Sequence, residues 1–170
     1  ACITMKIRYR KTAETAQDHS VLGVWLAKDQ VTKQARQQML KAPITLIPAG
    51  ANKQRVKAVV TLRDTMEAVA IRPLLFPYVK SFEAIATRPD GTTEVLIIAQ
   101  NYRANWQPSY YFKTPVMLPA GTRIEAIGYL DNSDNNQNLG DAIKAIRFAE
   151  NLCELVLTEA LPANSNERAN

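Results

Sequence analysis

An antiparallel β-sandwich with one or two short helices is the fold class this sequence predicts, on two observations. Apolar residues recur with period two along most of the chain, as at Val56, Ala58, Val60 and Leu62 and again at Phe82, Ala84 and Ala86. Such alternation marks strands that bury one face. Three Pro-x-Gly turns then punctuate the strands, at Pro48-Ala49-Gly50, Pro89-Asp90-Gly91 and Pro119-Ala120-Gly121. In each, proline presets one turn angle and glycine permits a positive φ. Many short strands separated by turns of this kind indicate a sandwich.

The elements follow in order. Ile3, Met5, Ile7 and Tyr9 alternate with Lys6, Arg8 and Arg10, which reads as a first strand with a solvated basic face. Ser20 to Ala27 is a second candidate strand, with Trp25 expected in the core. Gln30 to Lys41 is the best helix candidate, because Val31, Ala35 and Met39 share one helical face. Strands are then predicted at Ile44 to Ile47, Val56 to Leu62, Met66 to Phe76, Phe82 to Ala86, Thr93 to Ala99, Ser109 to Thr114, Arg123 to Leu130 and Cys153 to Leu161. Ala142 to Glu150 reads as a brief helical or irregular segment. The organisation expected is one domain over residues 1–161, followed by a flexible polar tail over 162–170.

Composition narrows the function classes. The 170 residues, 46% hydrophobic, suffice for one domain with a core. No apolar run approaches the roughly 18 residues that a membrane-spanning helix requires. The formal charge of +5 is spread along the chain in ones and twos, which favours acidic partners weakly and gives no reason to expect a nucleic acid. One histidine, His19, cannot supply a site that needs several imidazoles within one subunit. The start at Ala1 fits a mature exported protein and fits a cloned fragment equally.

Several motifs stand in one recognisable order: Pro89-Asp90-Gly91, Asn105-Trp106-Gln107 with Tyr110, Leu118-Pro119-Ala120-Gly121-Thr122-Arg123, and Asp131-Asn132-Ser133 with Asn135 and Asn138. The order resembles the second copper-binding domain of the type II ascorbate-dependent monooxygenases, above all their bacterial relatives of the peptidylglycine hydroxylase type. The resemblance implies a jelly-roll sandwich over most of the chain. It also implies copper ligands, which this sequence lacks. Arg8 stands where the family carries its first histidine, Leu74 and Phe76 where it carries a His-x-His pair, and Leu155 or Val156 where it carries a methionine. Guanidinium and hydrocarbon side chains offer copper no donor. The resemblance therefore implies a degenerate copy without metal or other cofactor. It also implies that the first and last strands lie side by side, which makes a Cys2 to Cys153 disulfide one expectation. Two unpaired thiols, or a lipid on Cys2, are the alternatives.

Other candidate sites weigh against structural roles. The Asp131 to Asn138 stretch holds many oxygen donors, but lacks the glycine and terminal glutamate of an EF-hand loop, so a structural loop built on short amide side chains is expected. Asp18, His19 and Ser20 are adjacent, whereas a catalytic triad is assembled from separated segments. Leu74, Leu75, Phe76 and Tyr78 form an apolar segment that is the candidate interface. The function expected is a non-enzymatic accessory or scaffolding subunit of a larger protein complex, periplasmic or extracellular, with peripheral or lipid-anchored attachment to a membrane. A small-ligand or carbohydrate-binding module using Trp25 or Trp106, and a residual copper monooxygenase, are the alternatives.

Overall fold

Alternation becomes pairing over ten strands: β1 (Lys33–Lys41), β2 (Thr45–Ile47), β3 (Gln54–Thr61), β4 (Met66–Pro73), β5 (Val79–Thr87), β6 (Thr93–Gln100), β7 (Tyr110–Leu118), β8 (Arg123–Leu130), β9 (Ile146–Phe148) and β10 (Asn151–Ala160). The computed structural model describes residues 3–7, 9, 15, 17–26, 28–74, 76–100, 107–136, 139 and 144–161, and no helix occurs among them. The pairings nest about one turn. β5 pairs with β6, β4 with β7, β3 with β8, β2 with β9 and β1 with β10, all antiparallel. The strands thus form one long hairpin. Two further pairings, β4 with β10 and β5 with β8, roll it into sheets of order β1-β10-β4-β7 and β3-β8-β5-β6, with β2-β9 as a short ribbon. This is the double-sheet arrangement of a jelly roll.

The turns at the hairpin bends behave as their sequences require. Gly50, Gly91 and Gly121 all take positive φ, at 74°, 83° and 83°. The turn bonds are Ala51 N–H to Pro48 C=O (3.2 Å), Gly91 N–H to Arg88 C=O (2.9 Å) and Thr122 N–H to Pro119 C=O (3.0 Å). Pro115 sits in β7, an edge strand, within the stretch that has no partner opposite Ala68 to Ala70. A missing N–H costs nothing there.

The core fills the space between the two large sheets. Val56, Ala58, Phe82, Ala84, Ala86, Ile124, Ala126 and Leu130 line one inner face, and Ala68, Ile71, Leu118, Leu155 and Leu157 line the other. Packing is tight at Gly128, where an added Cβ would lie 3.3 Å from Leu152 Cδ2 on β10 and 3.3 Å from Val56 Cγ2 on the neighbouring β3, so any side chain there would press on both.

Three expectations are corrected. The Gln30 to Lys41 segment is β1, not a helix. Its Lys, Gln, Ala and Arg residues favour a helix by propensity, but pairing with β10 from Lys33↔Ala160 to Lys41↔Asn151 overrides that preference. The strands expected at Ile3 to Tyr9 and at Ser20 to Ala27 do not form among the described residues. The chain divides into two units, Ala1–Gln30 and Val31–Asn170, and the described residues of the first form no strand. Ile3 (66% exposed), Tyr9 and Trp25 (90%) are accordingly not buried. Alternation specifies a strand only where another strand accepts its hydrogen bonds, and no such pairing is made by the described residues of the first unit. Within Ala142 to Glu150, residues 146–148 form β9 and not a helical turn. The predicted tail over 162–170 lies outside the described residues.

A bulkier residue at this tight position should overpack the core: Gly128→Val is expected to lower unfolding free energy by about 1–3 kcal/mol in urea titration. A variant as stable as the parent would show that the sheets are free to separate at this point.

Candidate binding groove

One end of the sandwich is held by a knot of buried polar side chains in the segment that follows β8. Asn132 is buried, and its side-chain amide donates to the Pro48 carbonyl (2.8 Å) and the Lys144 carbonyl (2.9 Å). Its backbone adds Gly50 N–H to Asn132 C=O (2.8 Å) and Asn132 N–H to Ala51 C=O (2.7 Å). Asn136 donates to the carbonyls of Asp131 (2.7 Å) and Pro77 (3.2 Å), while Asp131 N–H donates to Tyr78 C=O (2.7 Å). Three loops distant in sequence are thereby tied to a single stretch. Short amide side chains suit this task because they reach nearby backbone groups that would otherwise be buried without partners.

Asp131 connects the knot to the surface. Its Oδ1 accepts from Ser133 N–H (3.0 Å) and Ser133 Oγ (2.5 Å), and its Oδ2 lies 2.9 Å from Lys80 Nζ. Burial alone would push this carboxyl up, but the Ser133 bonds and the Lys80 ammonium outweigh burial and hold it below the usual carboxylate range. With both oxygens engaged and an ammonium beside them, the loop is built as a structural one. Asp134 is exposed, and Asn138 and Asp141 lie outside the described residues.

Beside the knot lies a groove of about 430 Å³ between the Asn52-Lys53 turn, β5 and β8. Two backbone irregularities shape it. The β5–β8 ladder pairs Val79 with Leu130 and Ser81 with Tyr129, so Lys80 is an extra residue in a β-bulge. Bulges re-aim side chains, and this one directs Lys80 to Asp131. Lys53 has φ of 62°, the one non-glycine positive φ among the described residues. A cross-sheet row of Tyr129, Ser81 and Gln100 completes the wall. Sequence reading missed Lys53, Lys80, Ser81, Gln100 and Tyr129, since neither a bulge nor a left-handed lysine leaves a sequence signature.

The residues singled out from sequence lie elsewhere. Leu74 follows β4, and its N–H donates to Leu152 C=O (2.9 Å); Leu155, fully buried in β10, pairs with Ile71. Leu74 and Leu155 thus stand on neighbouring strands. Phe76 and Tyr78 stack with ring centroids 6.1 Å apart, and both meet buried Phe148 edge-on at 6.1 Å. Burial, then the Glu150 carboxylate, push the Tyr78 phenol up. Phe76 and Tyr78 are half-buried and pack against the core, and Leu74 is half-buried. Arg8, Leu75, Cys2, Tyr102, Asn105 and Trp106 lie outside the described residues. Cys153 is a free, fully buried thiol whose pKa burial pushes up to about 12. Ser20 Oγ donates to Asp18 (2.8 Å), which Tyr9 also bonds, so the hydroxyl is committed to a carboxylate and His19 is exposed between them. Among the described residues, no three His, Cys, Asp or Glu side chains come together as a metal site.

No family model matches this chain, and no curated protein matches it. Among solved structures, the chain is similar to one described as the structure of infectious bursal disease virus Gx strain, with 12% identity and a TM-score of 0.37. The match covers 86% of this chain and 38% of the viral one, a likeness too distant to bear on function.

Removing the Asn132 amide takes away the donor to the Lys144 carbonyl and one of the two donors to the Pro48 carbonyl. Asn132→Ala is expected to cost about 1–3 kcal/mol by chemical denaturation. Cys153 should resist alkylation at pH 8 in the native protein and react once the chain is unfolded. Native Cys153 keeps its proton to about pH 12 while the unfolded thiol releases it near 9.0. Its contribution to stability is therefore complete below pH 9 and declines between 9 and 12, because the unfolded state binds fewer protons there. Rapid native alkylation would contradict the buried, protonated thiol.

Proposed function

We propose that this chain is a non-catalytic accessory or scaffolding subunit that binds and stabilises a larger protein assembly. The assembly is periplasmic and membrane-associated, such as an electron-transfer or photosynthetic complex. The observation that carries this reading is a corner of the sandwich where large apolar side chains face solvent. Ile44 and Leu46, at the β2 ribbon, are 64% and 67% exposed. Thr45, between them, pairs with Phe148, which packs on Phe76 and Tyr78. Apolar surface left in water and backed by a rigid aromatic cluster gains free energy when a partner covers it.

The chemistry of the residues supports a binding role over a catalytic one. Leu74, Phe76 and Leu155, where the monooxygenase resemblance calls for copper ligands, present hydrocarbon, and two of them pack in or against the core. The periplasmic location rests on the same resemblance to bacterial exported proteins. The formal charge of +5 favours an acidic partner surface.

Size separation of the native source after mild detergent extraction should show this chain travelling with a large complex. Leu46→Asp should release it while circular dichroism stays unchanged, since Leu46 is exposed. Phe76→Asp would instead disrupt the packing on Phe148. Migration of the parent chain alone, at 18.9 kDa, would overturn the proposal, and co-migration unaffected by Leu46→Asp would move the docking surface off the β2 ribbon.

A further inference from the structure

The groove beside the polar knot collects side chains that the fold does not use. Lys53 holds a left-handed backbone conformation that disfavours any residue with a Cβ, and glycine or asparagine would adopt it with less strain. Strain of this kind persists where surrounding structure imposes it, and it concentrates at binding sites. The Lys53 ammonium has no ion-pair partner among the described residues. Lys80 reaches the same groove through a β-bulge and meets Asp131 at 2.9 Å. Among the described residues that line the groove, two ammonium groups stand against one carboxylate, an excess of one positive charge.

The remaining lining is amide and aromatic. Asn52, Gln100 and Asn135 border the groove, and their side chains make no hydrogen bond among the described residues. Each primary amide offers donors and an acceptor side by side, the pattern that neighbouring hydroxyl groups on a sugar ring satisfy. Tyr129 stands in the wall next to Ser81, its hydroxyl turned to Glu83 at 3.4 Å, leaving an aromatic surface for the C–H faces of a sugar. The groove's volume of about 430 Å³ lies within the roughly 300–1,000 Å³ of small-molecule sites.

We infer that this groove binds a saccharide carrying a carboxylate, a uronic-acid unit, with Lys53 facing the carboxylate and the three amides reading the hydroxyls. One unbalanced charge suits a monoanion. A phosphate or nucleotide would call for more cations, or for a cradle of backbone N–H groups. The inference is independent of the docking corner, which is made by other residues.

Calorimetric titration of the whole chain with trimers of galacturonate, glucuronate and mannuronate tests it, with the methyl ester of each trimer and with acetate as controls. At least one acid trimer should bind saturably, its ester at least tenfold more weakly, and acetate not at all. Lys53→Gly should weaken that binding at least tenfold while leaving the thermal midpoint unchanged or raised, because glycine relieves the backbone strain. Gln100→Ala should weaken it several-fold without a change in midpoint. A merely structural lysine would move the midpoint and not the affinity. Failure of all three acid trimers to bind at millimolar concentration, equal binding of acid and ester, or undiminished binding by Lys53→Gly would each overturn the inference.

Discussion

Nested antiparallel pairing about the β5–β6 turn is the constraint on which the rest of this structure depends. The innermost pair closes only Arg88 to Thr92, while the outermost joins Lys33 to Ala160. Loop closure of that length would be slow and entropically costly if attempted in one step. Nesting divides the cost. Once β5 and β6 pair, the ends of β4 and β7 are brought together, and each pair in turn shortens the loop left for the next. The positive φ of Gly91 at the innermost bend therefore matters to strands far from it. The β4–β10 and β5–β8 pairings complete the roll and bring Gly128 of β8 and Leu152 of β10 so near that a Cβ on Gly128 would press on the leucine.

A rolled hairpin leaves its loops gathered at the ends, where backbone groups must find partners without a ladder to supply them. Here that task falls to Asn132 and Asn136, whose amides bond carbonyls from three other segments. Asp131 belongs to the same stretch, and its carboxylate fixes Lys80, the bulged residue of β5. The groove is thus a by-product of how the end is sealed. Its backbone is held by strand pairing and by the knot, whereas the Lys53, Asn52, Gln100 and Asn135 side chains are exposed.

Much of this was legible in the sequence, and the exceptions have physical causes. Alternation located β3 and β5 because these strands bury one face against the core, and the three Pro-x-Gly turns marked bends that need a positive φ. The Asp131 to Asn136 loop was legible as structural because Asn, Asp and Ser bond nearby backbone whatever the fold. The segment Lys33 to Lys41 misled because only Leu40 in it is buried, so its identity as a strand lies in β10 and not in its own residues. Ile3 to Tyr9 misled in the opposite sense, showing alternation where the described residues form no strand. Lys53 and Lys80 were invisible for a third reason: a bulge is a mismatch in count between two strands, which no single strand reveals.

Leu74, Phe76 and Leu155 bring the two surfaces together in one line of reasoning. If they occupy inherited ligand positions, then a site that once needed donors now adds hydrocarbon to the core, through buried Leu155 and through Phe76 against Phe148. A metal site couples folding to ion supply and pH, because its ligands must be deprotonated and its binding energy becomes folding energy. Apolar packing carries no such dependence. Apolar packing at these positions thus makes the core independent of ion supply there, and the proposed scaffold role would rest on the exposed apolar surface at Ile44 and Leu46.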